Sequence, residues 1–261
     1  MEGPRSKGFL PEAKTKVVVY TALFGEGDRL WSVPPIVVPG AKYVVFTERP
    51  RREVGLWTYN FSIERPAMLV GTDDVSPPSC LWEQRIVKAP HGSRKAARYH
   101  KVMAHKVLRG ADVSIWVDAN VRLLLLPSVA LKRWMRQRDL VVFKHSQRNC
   151  LYDEVHACLQ LGKGVKSLVT AQAQAYRKSG MPRGYGLATT RCLIRRHTPK
   201  IAKLNEAWWK EIQRYSLRDQ ISLPFVCWRE KVLWDMIPRS VRKNQDFWFL
   251  RHRAVIGAYH D

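Results

Sequence analysis

Acidic residues are scarce in this chain. Its 261 residues carry 22 Asp plus Glu against 45 Lys plus Arg, a formal net charge of +23. An imbalance of this size draws polyanions and raises encounter rates with them, but it says nothing about fold and serves solubility equally well. Cysteines are few: Cys80, Cys150, Cys158, Cys192 and Cys227. Their number is odd and no C-x-x-C pair occurs, which excludes a zinc site of the usual kind; free thiols suit a reducing interior. The opening MEGPRSKGFLPEAKTK has no apolar h-region, so no secretory signal is expected. No apolar run approaches the ~20 residues of a membrane span. The expectation is a cytoplasmic protein without membrane attachment, preceded by a flexible leader at 1–15. Internal repeats and low-complexity tracts are also lacking.

What is present is enough for a substantial core: 46% of the residues are hydrophobic. Residues 16–24, KVVVYTALF, predict a buried strand that ends in a turn at 25–28. A second strand is predicted at 43–48. Pro66, Pro77, Pro78 and Gly71 break up 49–90 into short strands and loops. The spacing predicts one helix over 93–109, capped by Ser93 and ended by Gly110. Ala96, Tyr99, Met103 and Val107 form its apolar stripe; Arg94, Arg98, Lys101, His105 and Arg109 line another face. Strands at 113–120 and 140–143, an extended run at 123–126, and helices at 128–138, 166–179 and 199–215 follow. In the last of these Trp208 and Trp209 are adjacent, so only one of the two is expected to face the core. Alternating strands and helices predict an α/β fold with a mostly parallel central sheet flanked by helices.

The chemistry centres on Asp118-Ala119-Asn120, at the C-terminal end of a hydrophobic strand, where ligands bind in open α/β sheets. On extended backbone these two oxygen-bearing side chains point the same way. That arrangement suits Mg²⁺ or Mn²⁺ bridging a nucleotide diphosphate, or else an Asx turn. Arg94, Arg98 and Lys101, just upstream, either reach that diphosphate or form a solvated basic face. His145 follows another strand end, with Arg148, Asp153 and Glu154 behind it; the acids either orient a sugar or pair with arginines. Gly184, Gly186 and Leu187 mark close backbone approach to a ligand, or a loop. Asp219, beside Arg218 and Gln220, is either a catalytic base on an acceptor hydroxyl or a helix N-terminal carboxylate.

YTALFGEGD (20–28), VVFTE (44–48), SRKAARYHK (93–101), WVDAN (116–120), HSQRNCLYDE (145–154), MPRGYGL (181–187) and SLRDQIS (216–222) together resemble the glycosyltransferase-like domain of plant Golgi proteins linked to pectin and seed mucilage, with bacterial and phage relatives. The resemblance runs over 16–255. It implies a single GT-A-like, Rossmann-type domain, with a nucleotide-sugar-binding half at 16–126 and an acceptor-binding half at 127–255. It further implies a nucleotide-sugar donor, UDP-sugar foremost. Thr21, Ala22 and Phe24 would line the nucleoside pocket, and Arg94, Arg98, Lys101, His145, Gly186, Leu187 and Gln220 would serve the donor. Asp118, Asn120 and His252 would hold a divalent metal, and Asp219 and Asp153 would be catalytic. Two departures stand out: Glu48 and Asn120 each occupy a position where the family pattern has Asp.

Three functions follow as expectations. The first is sugar transfer to a polyanionic acceptor, namely a hydroxymethylated base in DNA; the +23 charge motivates it. The second is the same chemistry on an acidic or surface polysaccharide. The third is a non-catalytic, basic nucleic-acid-binding protein on a transferase fold.

Overall fold

The computed structural model describes residues 15–25, 30–31, 41–54, 56–60, 65–69, 82–89, 92–241 and 245–249. In chain order the elements are β1 (Val17–Leu23), β2 (Leu30–Trp31), β3 (Ala41–Thr47), β4 (Glu53–Val54), β5 (Leu56–Asn60), β6 (Arg65–Leu69) and β7 (Trp82–Ile86). Then come α1 (Ser93–Val102), α2 (Ala104–Val107), β8 (Val113–Val117), β9 (Val121–Leu123), α3 (Pro127–Trp134), β10 (Leu140–Lys144), α4 (Leu151–Gln160) and α5 (Lys166–Lys178). The chain continues with β11 (Ala188–Arg196), α6 (Pro199–Arg214), α7 (Asp219–Arg229), β12 (Asp235–Ile237) and β13 (Phe247–Phe249).

Among the described residues, seven strands form one sheet in the order β12-β10-β11-β8-β1-β3-β7. Every pairing in it is parallel except those made by β11. The sheet runs unbroken across the division expected at 126/127. This is the expected Rossmann-type α/β architecture. β1 and β8 sit at its centre because VVVYTAL and VSIWV are buried along their whole length, the pattern of a strand covered on both faces. Val18, Tyr20, Ala22 and Trp116 face the larger core, with residues of α1 and of α4 to α7. Val17, Val19, Ile115 and Val117 face a second core, closed by Ala130, Leu131 and Trp134 of α3 and by Phe247 of β13.

The single helix expected over 93–109 is broken at Met103 (φ −88, ψ 38). The cause lies on β11. Arg195, fully buried, donates from its guanidinium to the carbonyls of Val102 (3.1 Å) and Lys101 (2.6 Å), and the Tyr20 hydroxyl donates to Lys101 O at 2.9 Å. These are the acceptors that continued α-helix would give to residues four positions on. Lys106 N bonds Met103 O instead. Lys101, expected on an open basic face, points inward to the Asp118 and Asp219 carboxylates and is 1% exposed.

Trp208 and Trp209 are both buried, against the expectation for adjacent residues. Helix α6 packs between α1 and α7. Trp209 meets Tyr99 of α1 edge-on at 5.2 Å, while Trp208 donates its indole N–H to Ser222 Oγ of α7 at 2.9 Å. Helix α4 and strand β11 occupy stretches for which no element was expected.

Candidate active site

Strand order reverses beside β1: β3 and β7 lie to one side, β8 to the other. Such a switch point leaves a crevice at the C-terminal ends of the parallel strands. Asp118 follows β8 there. Because β11 runs antiparallel, its first residues reach the same edge, and Asp118 N donates to Arg191 O at 2.9 Å. The β10–β11 ladder skips at this point: β11 passes from Leu193 to Thr189 while β10 advances from Val142 to Phe143. Bulges of this kind re-aim side chains at strand ends. Here Thr190 donates its hydroxyl to Asp219 Oδ2 at 2.9 Å.

Lys101 is the hub. Its Nζ lies 2.6 Å from Asp219 Oδ2, 3.2 Å from Asp118 Oδ1 and 5.4 Å from the centre of a Trp116 ring. Asp118 Oδ1 also accepts the Trp116 indole N–H at 2.8 Å. Arg98 Nε stands 3.7 Å from Asp219 Oδ1 and donates to Leu217 O at 3.2 Å. Burial by itself raises the Asp219 pKa. The charges of Arg98 and Lys101, the Lys101 hydrogen bond and the charge of Arg218 outweigh it and hold the carboxyl far below the usual carboxylate range. Asp219 begins α7, where its charge also suits the helix dipole. Gln220 reaches Ala188 O at 3.5 Å.

A second cluster borders the first through Arg218. Glu154 is 3% exposed. Arg148 Nε lies 2.7 Å from its Oε2, His145 Nε2 lies 3.8 Å from the same oxygen, and Arg218 lies 3.6 Å from its Oε1. His145 Nδ1 accepts the backbone N–H of Arg148 at 3.1 Å. The neighbouring Asp153 is exposed and pairs with Arg183 at 2.6 Å. Glu154 is thus the buried member of the two acids, and the surface position of Asp153 does not bring it to the crevice cluster.

Of the expected nucleoside-pocket residues, Phe24 lies 5.3 Å from the His100 ring, which lies 4.5 Å from Phe46. His100 donates from Nδ1 to Ala96 O (2.8 Å) if its proton sits there, and burial lowers its pKa. Gly25, at φ 75, is held by Glu48 Oε1, which accepts its N–H at 2.8 Å. Thr21 alternates with Tyr20 and Ala22 and therefore points to the other face of the sheet. Its buried hydroxyl has no hydrogen-bond partner among the described residues. Arg94 is exposed. Leu187 is fully buried in the core and its carbonyl accepts from His145 N, so its side chain is committed to packing. Gly186 (φ 116) would place a Cβ 3.3 Å from Met236 Cε and 3.4 Å from Trp234, which accounts for glycine there by backbone and packing.

The residues present do not fit a dedicated divalent-metal site. Residues 119–120 form a turn closed by Val121 N donating to Asp118 O at 2.8 Å, so the extended alternation expected of Asp118 and Asn120 does not hold. Asn120 is 5% exposed, whereas the Asp118 side chain is 27% exposed. One oxygen of Asp118 is already spent on Lys101 and Trp116. Among the described residues no group of three or more His, Cys, Asp or Glu side chains is placed to hold a metal ion. The expected ligand His252 lies outside the described residues.

Sequence reasoning missed Thr190, Tyr20 and Arg195. Nothing local marks them; each acts through residues distant in the chain.

Comparison with known proteins bears on this geometry. A family model described as TOD1/MUCI70, glycosyltransferase-like domain, matches residues 71–247, a span that holds Arg98, Lys101, Asp118, Thr190 and Asp219. The chain is also similar to "Probable hexosyltransferase MUCI70" of Arabidopsis thaliana, 26% identical over 165 residues. That match covers 58% of this chain and 28% of the plant protein's length.

Proposed function

Because the chain belongs to the TOD1/MUCI70 glycosyltransferase-like domain family, we propose that it transfers a sugar from a nucleotide-sugar donor to an acceptor hydroxyl at the β1–β8 crevice. The observation that carries this reading is the Asp118–Lys101–Asp219 cluster, set at the switch point and within the family match. In the transfer, the bond between the anomeric carbon and the phosphate oxygen breaks and its electron pair leaves with the diphosphate. The acceptor oxygen bonds that carbon, and its proton passes to the released diphosphate or to water. Cationic groups near the leaving phosphates stabilise the charge that develops there. Arg98 and Lys101 are the groups placed for it.

Asp219 is better suited to anchoring these cations than to taking a proton. Oδ2 accepts from Lys101 and Thr190, and the strongly ionised carboxylate is a weak base. Phe24, half-buried at the end of β1 and backed by the buried His100 and Phe46 rings, offers a flat face for a nucleoside.

For the acceptor, the +23 charge supports a polyanion, and DNA rests on that charge alone. Incubation with a panel of radiolabelled nucleotide sugars tests the reading, with hydroxymethylated DNA and acidic oligosaccharides as acceptors. Label passing to one acceptor class is expected. The absence of both transfer and donor hydrolysis across the whole panel would refute it.

A further inference from the structure

We propose that Lys101 is the resident cation of this site, standing where a divalent metal would otherwise meet the donor diphosphate, so that nucleotide binding needs no metal ion. The inference rests on the glycosyl-transfer reading and adds to it the identity of the charge that serves the phosphates.

The argument begins with the cost of placing an ammonium here. Lys101 Nζ sits on a side chain 1% exposed, and burying such a charge is expensive unless it is paired and hydrogen-bonded. Two carboxylates meet that cost, Asp219 at 2.6 Å and Asp118 at 3.2 Å, with the Trp116 ring 5.4 Å away. The backbone is fixed as firmly. Lys101 O accepts from Tyr20 OH and from Arg195, whose guanidinium also bonds Tyr20 OH. Arg195 itself is fully buried and bonds Asn205 Oδ1 at 3.1 Å. A lysine held at both ends in this way is a fixed point charge rather than a mobile surface group.

Its place gives that charge a use. A metal serving the donor phosphates would sit between them and a carboxylate at the strand end. Asp118 is that carboxylate, and its Oδ1 already receives the Lys101 ammonium and the Trp116 indole. A divalent ion bound by the same oxygen would have to displace an ammonium that Asp219 holds in place. Asn120 gives little help to a metal, because its turn draws it inward to 5% exposure. Arg98, with a side chain 28% exposed, extends the positive charge toward solvent from the same Asp219.

Calorimetric titration with uridine, guanosine and cytidine diphosphates, each in EDTA and again in Mn²⁺, tests the proposal on the whole chain. At least one nucleotide is expected to bind with the same affinity in both buffers. Lys101→Met should weaken that binding by about tenfold or more, the worth of a charge-assisted hydrogen bond, with Lys101→Arg retaining part of it. Binding that appears only with Mn²⁺ overturns the proposal and leaves the glycosyl-transfer reading standing. Absence of binding by every nucleotide in both buffers removes the reading itself, and this inference with it. If Lys101→Met fails to fold, the EDTA comparison on the unaltered protein decides alone.

Discussion

Asp219 shows how a single side chain can be pinned by its surroundings. Its depressed pKa means that the folded state favours the carboxylate more than the unfolded chain does. The stability it contributes is therefore fully present above the ordinary Asp value of about 3.9 and is lost as pH falls from there toward the lower folded value. Asp219→Asn should flatten that acid limb in unfolding titrations. At neutral pH the substitution leaves the Lys101 ammonium with Asp118 alone, at a cost of about 3 kcal/mol. An unchanged midpoint in denaturant would contradict this. The acids at 153 and 154 make a related point. From sequence the catalytic role falls to Asp153, but that residue lies on the outer side of α4 and Glu154 points at Arg148 and Arg218.

At the scale of elements, β1, β8 and β10 were legible because uninterrupted apolar runs admit few alternatives to a buried strand. Strand β11 was not, since ATTRCLIRR carries three arginines and looks like surface. Its Arg195 is buried because it caps the end of α1, a role that requires knowing which carbonyls lie opposite. Helix α4 opens at Cys150 without a side-chain cap, so the usual start signal is missing. The break at Met103 was hidden for the same reason as β11: its cause is a residue from another element. Arg195→Met should thus destabilise the fold by about 2–4 kcal/mol in denaturant unfolding, by leaving buried acceptors unmet. It should also weaken nucleotide binding, because Lys101 loses its backbone anchor. Full retention of both properties would exclude the capping role.

For the molecule as a whole, one buried and two half-buried histidines set a second pH dependence. Burial lowers His100 and His105, and it lowers His197 to about 4, with the Arg195 and His105 charges adding to it. The folded state therefore disfavours their protonated forms. Stability is complete above the ordinary His value of about 6.5 and declines as pH falls through the folded values. A loss of about 1–2 kcal/mol between pH 7 and pH 5 is expected, reduced by His197→Gln, with thermal midpoints as the readout. The overall architecture was readable from alternating strands and helices. The site was readable only in outline: Asp118 and its basic neighbours were singled out, yet their conversion into an ion-paired cluster depended on the turn at 119–120 and on α7 arriving from far along the chain.

The skip in the β10–β11 ladder puts a length constraint on a stretch of only a few residues. Thr190 meets Asp219, and Arg195 meets Lys101, from one strand whose regular alternation would set them on opposite faces. Residues 190–192 pair with no residue of β10, and this odd surplus of three brings both side chains to one face; a deletion there takes away part of the surplus, whereas a substitution keeps the count. Deletions should therefore be far less tolerated than replacements in this stretch.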